Sequence, residues 1–185
     1  MKKYRLTDEC IETITGVKIH RIISLIDFGG VKAGEIGGYI QSEANLSHDD
    51  ECWVSGDAQV SGDAWVYGNA WVYGDAWVSG DARVSGNAQV YGNAWVSGDA
   101  WVSGNARVYG DAWDVSPLQI QGTKYFVNMA DANTLKMGCQ EHSIKKWLKH
   151  GPKIAEECNE TDLWPEYKLY VELAAKRYAP GLLGG

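Results

Sequence analysis

Phenylalanine is nearly missing: the sequence has two, against nine tryptophans and ten tyrosines. Its aromatic weight lies in rings with a polar edge, which suit half-exposed surfaces better than sealed cores. Nowhere do about eighteen apolar residues follow one another, so no membrane-spanning helix is expected. The opening MKKYRLTDEC holds two lysines with no apolar run behind them, and no secretory signal is expected from it. The four cysteines, Cys10, Cys52, Cys139 and Cys158, lie far apart, which favours reduced thiols in a cytoplasm over a disulfide framework. Basic residues are also short, 17 against 24 acidic, and the net charge of −7 argues against life on a DNA or RNA duplex. With 45% hydrophobic residues the chain is too apolar to be disordered, and 185 residues suffice for one domain or a small domain with an appendage.

Glycine, by contrast, is plentiful at 22 of 185 residues, and a repeat explains it. From Val54 to Trp113 the chain is ten hexads of the form V-[SY]-G-[DN]-A-[WRQ], without a single Lys, Glu, His, Cys, Pro, Leu or Ile. Six is not a helical period, and a Gly in every hexad beside β-branched Val argues for short strands turning repeatedly, a β-helix of the solenoid class. Alternation along Ala-Trp-Val-Tyr sends Ala and Val to a narrow interior and the Trp/Arg/Gln and Ser/Tyr positions outward. Gly with Asn or Asp takes the corners, where positive φ is needed.

The variable positions give the number of strands per turn. The Asp/Asn and Ser/Tyr choices agree in 10 of 14 comparisons at a lag of 18 residues, against 7 of 18 at a lag of 6 and 4 of 16 at a lag of 12. Eighteen residues is three hexads, so the expected coil is a triangular prism. With Val at i and Ala at i+4, the pattern resembles the hexapeptide-repeat left-handed β-helix, and left-handedness is what that resemblance implies. Ile40 with Ala44 and Leu46 with Asp50 read as two degenerate hexads, with a two-residue bulge near Asp49 to Glu51. The expected organisation is a small N-terminal β cap over 1–39, the coil of about four turns over 40–115, and a C-terminal α+β region over 116–185 for capping or oligomerisation.

Folding the repeat onto three faces produces ladders. Trp53, Trp71, Gln89 and Arg107 share the first face with Ser55, Tyr73, Tyr91 and Tyr109. Gln59, Trp77, Trp95 and Trp113 share the second with Ser61, Ser79 and Ser97. Trp65, Arg83 and Trp101 share the third with Tyr67, Ser85 and Ser103. Such columns stabilise a solenoid by stacking, and Trp65, Arg83 and Trp101 could form a cation–π sandwich. Seven outward tryptophans nevertheless exceed what a soluble monomer leaves wet, so one face is expected to be an interface, with Trp77, Trp95 and Trp113 as candidates. Side-by-side homotrimers are what the resemblance implies.

In the N-terminal segment Val17 to Leu25 reads as a strand, with Gly29-Gly30 and Gly37-Gly38 as loops. Beyond the coil the rhythm breaks at Asp114 and Pro117, and Leu118 to Gln121, Lys124 to Met129 and Thr134 to Gly138 read as strands. Ser143 caps a helix over Ile144 to His150, and Thr161 caps one over Asp162 to Tyr178 with Leu163, Tyr167, Tyr170, Leu173 and Ala174 on one face. Cys139, His142, His150 and Cys158 are all zinc-ligand types, but a helix between the histidines separates them by about 12 Å. A packed Cys139 and a helix-entry His142 are the favoured reading, and no cofactor is expected.

Many hexapeptide-repeat proteins are acyltransferases, and a related carbonic anhydrase class holds zinc through coil histidines. No His lies between His48 and His142 here, so neither a general base nor a zinc triad can be drawn from the coil, and a non-enzymatic protein is expected. The repetition, the segment DFGGVKAGEIGGYIQSEANLS (27–47) and the motif GCQEHSIKKW (138–147) resemble hexapeptide-repeat proteins of bacteriophages and prophages described as polymer-forming or cytoskeletal-like. That resemblance implies action in a host cytoplasm by occupying a host component, such as a nucleotide immune signal. Trp65, Arg83, Trp101, Arg107, Trp71, Tyr73, Tyr91 and Tyr109 suit stacking a base and neutralising a phosphate. The expectation is a homo-oligomeric sponge for a nucleotide-like ligand, used against host defence. The alternatives are a self-assembling scaffold, a binder of host protein or carbohydrate, and, last, an acyltransferase-like enzyme.

Overall fold

Alternation decides the coil: every Val from Val54 to Val108 and every Ala from Ala58 to Ala106 is fully buried, while the residues between them face out. The computed structural model describes residues 1–110, 112–113 and 116–183. The break expected at Asp114 and the coil boundary at 115 lie outside the described residues. The chain divides into two units, Met1–Pro117 and Leu118–Gly185.

The first unit begins with antiparallel strands β1 (Tyr4–Glu12), β2 (Lys18–Ser24) and β3 (Ile36–Ile40). Short parallel strands follow in three stacks. One holds β4 (Trp53–Val54), β7 (Trp71–Val72), β10 (Gln89–Tyr91) and β13 (Arg107–Tyr109); the second holds β5 (Gln59–Val60), β8 (Trp77–Val78), β11 (Trp95–Val96) and β14 (Ala112–Trp113); the third holds β6 (Trp65–Val66), β9 (Arg83–Val84) and β12 (Trp101–Val102). Partners such as Val54↔Val72 and Val60↔Val78 lie eighteen residues apart, one turn of a β-solenoid of roughly four turns. Strand β3 is itself the first rung of the second stack, so cap and coil form one continuous sheet on that side.

Ile40 pairs with Val60 and Leu46 bridges to Val66, both twenty residues apart, because the segment before Trp53 carries two extra residues, with Asp50 at φ 55°. The buried ammonium of Lys3 holds this bulge, donating to the carbonyls of Asp49, Asp50 and Cys52 at 3.3, 3.3 and 2.9 Å. A buried charge requires such full hydrogen bonding.

Gly37-Gly38 lies within β3 rather than a loop, because a Cβ on Gly37 would come within 2.6 Å of the Trp53 ring and one on Gly38 within 2.6 Å of the Ala58 carbonyl. Trp53 is accordingly not outward but fully buried, with Phe28 and Tyr4 against its ring. Trp113 is not outward either: Val96 pairs with it seventeen residues on, so the indole takes an inward Val position and plugs the end of the coil core. Tyr4 to Glu12 is a strand that alternation did not disclose, its two sides carrying mixed residues.

The second unit is a four-stranded antiparallel sheet, β15 (Gln119–Gln121), β16 (Phe126–Met129), β17 (Thr134–Met137) and β18 (Gln140–Ser143), with helices α1 (Ile144–Glu157) and α2 (Trp164–Tyr178). Ser143 accepts from the Lys146 amide as the N-cap of α1, but the helix runs past His150 through Gly151 and Pro152. Gly151 is required there: a Cβ would fall 1.8 Å from the Trp164 ring, which lies on α1 at that point. Thr161 opens a short 3-10 turn instead of capping α2, whose Pro165 suits the first turn without an N–H. The buried face of α2 is Tyr167, Val171, Ala174 and Ala175, and Leu173 is exposed.

Candidate ligand-binding faces

Each outward ladder is positioned by the parallel register, which sets equivalent side chains one strand spacing apart. On the first face Tyr73 and Tyr91 stack with centroids 5.0 Å apart and planes 3° apart, and Tyr109 continues the column at 5.4 Å. Burial pushes the Tyr73 phenol up, with the Arg107 guanidinium pulling the other way. Trp71, two residues before Tyr73 in the same rung, is half-buried in the neighbouring column. On the second face Trp77 and Trp95 stack at 5.0 Å and 10°.

The third face differs from the expected sandwich. Trp65 stacks on Tyr67 of its own strand at 4.2 Å, and the Trp101 indole N–H donates to Ser85 Oγ at 3.1 Å. Arg83 sits between the two rings in register and is exposed. Trp65, Trp95 and Trp101 remain 42%, 39% and 49% exposed, so the ladders leave aromatic surface in water.

The corners distinguish the faces electrostatically. Asp63, Asp81 and Asp99 run up the corner between the second and third faces. Asp57 and Asp75 run up the corner between the first and second, where Arg21 of the cap reaches Asp57 at 3.5 Å and the Gly56 carbonyl at 2.8 Å. The corner between the third and first faces carries Asn69, Asn87 and Asn105, linked by amide hydrogen bonds of 3.3 and 3.2 Å. It is flanked by Trp65, Arg83 and Trp101 on one side and Trp71, Tyr73, Tyr91, Tyr109 and Arg107 on the other. The eight residues selected from sequence thus lie on the two faces that meet at the asparagine column, although the same corner holds Asp49, Asp50 and Glu51 one turn earlier, and Trp65, Arg83 and Trp101 stand closer along their strands to the Asp63, Asp81 and Asp99 column.

Trp77 and Trp95 lie together on the second face, whereas Trp113, the third interface candidate, is withdrawn into the coil. His48, at the bulge, stacks on Tyr4 at 4.2 Å and accepts the Lys3 amide on Nδ1 at 3.2 Å, a packing role. Among the described residues no group of three or more His, Cys, Asp or Glu side chains is arranged to hold a metal. His142 is engaged by Gln140 Oε1 and Lys146 Nζ, both at 3.1 Å, and Cys139 is exposed, not packed.

Stacked parallel turns of eighteen residues around a Val/Ala interior define a β-solenoid repeat protein. Residues 58–74, 76–90, 88–104 and 100–114 match the model of the YdcK beta-solenoid repeat, to which this coil is therefore similar. A search of curated proteins finds no match.

Proposed function

We propose that this protein is a non-enzymatic, left-handed coil that assembles as a homotrimer and holds a nucleotide-like ligand between subunits. The observation that carries the reading is the pair of faces that meet at the asparagine column, one with the exposed indoles of Trp65 and Trp101 beside Arg83, the other with the tyrosine stack beside Arg107. A base stacks on the aromatic rings while a guanidinium meets the phosphate. The stacked Trp77 and Trp95 supply the apolar surface for the neighbouring prism. In a phage-encoded setting the complex acts in the host cytoplasm as a sponge for a nucleotide defence signal.

Ser116 Oγ accepts the Trp101 amide at 2.9 Å, occupying an N–H that the last turn would otherwise offer to a further rung. That disfavours end-to-end growth and ranks the discrete oligomer above the scaffold. The test is calorimetry of the intact protein with mono- and dinucleotides, repeated on Arg83→Ala and Trp101→Ala. Weaker binding in both variants supports the assignment. Unchanged binding removes the site, and no binding of any nucleotide removes the function.

A further inference from the structure

Helix α1 carries two adjacent stripes of opposite character. Ile144, Trp147, Gly151 and Ile154 are buried, whereas Lys146, His150, Lys153 and Glu157, spaced i, i+4, i+7 and i+11, line one side of a groove. The buried stripe opens into a cavity of about 270 Å³ whose walls include Tyr125, Trp147, Ile154, Trp164 and Tyr167. The groove beside it is about 510 Å³. Gln140, Ile154 and Cys158 line both, so the two spaces are contiguous.

Charge is distributed to match. The segment from residue 118 onward holds nine basic and eight acidic residues, whereas residues 1–117 hold eight and sixteen. In the groove, His142 takes the Lys146 ammonium on Nδ1 at 3.1 Å and meets Gln140 with Nε2, a pairing of the neutral ring. Lys146 has no carboxylate partner among the described residues, and Lys153 meets only Glu157, at 3.8 Å on the surface. The one acid of the cavity wall, Glu160, is already engaged by Lys124 and by the Tyr125 hydroxyl at 2.7 Å.

We propose that the C-terminal unit binds a small aryl phosphate, its ring seated among Trp147, Trp164 and Tyr167 and its phosphate on the ammonium groups of Lys146 and Lys153. Flat aromatic walls select a planar ring, and the cavity volume suits one or two fused rings. The groove is far wider than a carboxylate needs, and the flexible ammonium arms of Lys146 and Lys153, two turns apart on one helix with His150 between them, reach a dianion from one side. This site shares no residue with the asparagine edge of the coil, so the two readings fail separately.

Titration of the full chain with 1-naphthyl phosphate and, in parallel, 1-naphthol tests it. The phosphate binds about tenfold more tightly than the alcohol, the worth of one charge-assisted hydrogen bond. The Lys146→Gln/Lys153→Gln double variant removes that preference and keeps the alcohol. Ala155→Leu, which fills the cavity from its wall, loses both ligands. Should Ala155→Leu unfold, the indole N–H resonances of Trp147 and Trp164 decide, shifting on titration if the ring enters. The titrations are made in the Arg83→Ala/Trp101→Ala background, which removes the coil's own ring and phosphate contacts, so that binding there is not counted here. Equal affinities for phosphate and alcohol, a preference that survives the double lysine change, unshifted indoles or no saturable binding would each overturn the proposal.

Discussion

Replacing Gly80 by Ala and, separately, Gly92 by Ala separates the two demands that the coil makes of its corners. Both residues have positive φ, +67° and +63°. That conformation costs an L-residue with a Cβ about 1–2 kcal/mol, so both variants lose this much. Among the described residues, a new Cβ at Gly92 meets nothing closer than Tyr109 Cβ at 3.7 Å, ordinary contact. At Gly80 it lies 2.9 Å from the backbone nitrogen of Gly98 on the next turn, with no flexible side chain to move aside. Forcing the turns apart adds about 1–3 kcal/mol of overpacking. Gly80→Ala is therefore expected to lose about 2–5 kcal/mol and Gly92→Ala about 1–2. Urea unfolding followed by tryptophan fluorescence, at one protein concentration for all variants, measures the difference. Equal losses at the two positions would refute the close backbone stacking of successive turns.

Four further outcomes follow from named contacts. Lys3→Met strands the buried Cys52 carbonyl, leaves those of Asp49 and Asp50 to water, and lowers stability by about 1–3 kcal/mol in thermal melts. Trp113→Ala empties the end of the coil core and costs about 3–5 kcal/mol, whereas Trp95→Ala, on a wet face, costs the monomer about 1 kcal/mol of stacking. Gly151→Val places atoms in the Trp164 ring, and hydrogen exchange then shows α2 losing its protection against α1. The Lys124 ammonium and then the Tyr125 hydroxyl hold the Glu160 carboxyl below its usual value of 4.5. Its stabilisation is thus full above that value and is lost as pH falls through the lower folded one, so Glu160→Gln flattens the acid limb of a stability–pH curve.

The coil was legible because each of its positions obeys one local rule, repeated: Ala and Val inward, Gly at positive φ, and like residues eighteen apart. The bulge was legible too, since the step from Leu46 to Val54 breaks that count. What sequence did not disclose are the places where a neighbour decides. Gly37-Gly38 has turn composition but is flattened into a strand by the Trp53 ring and the Ala58 carbonyl. Trp113 occupies a periodic outward position, yet a one-residue shortening of the last turn swings it inward. Gly151-Pro152 is a stop signal that α1 overrides because Trp164 must lie on a residue without a side chain. The outward-facing residues of the coil follow from register alone. The cavity of the C-terminal unit was missed, although the i, i+4, i+7 placing of Lys146, His150 and Lys153 beside the Trp147 stripe was the signal that could have disclosed it.

The central claim is that the exposed aromatic faces and the asparagine edge serve assembly and nucleotide capture. Native mass spectrometry of the intact protein, as purified and with added nucleotides, tests it most directly. A discrete homotrimer that retains nucleotide, and loses it in Arg83→Ala and Trp101→Ala, is the expected result. A monomer that takes up no nucleotide at any concentration contradicts it.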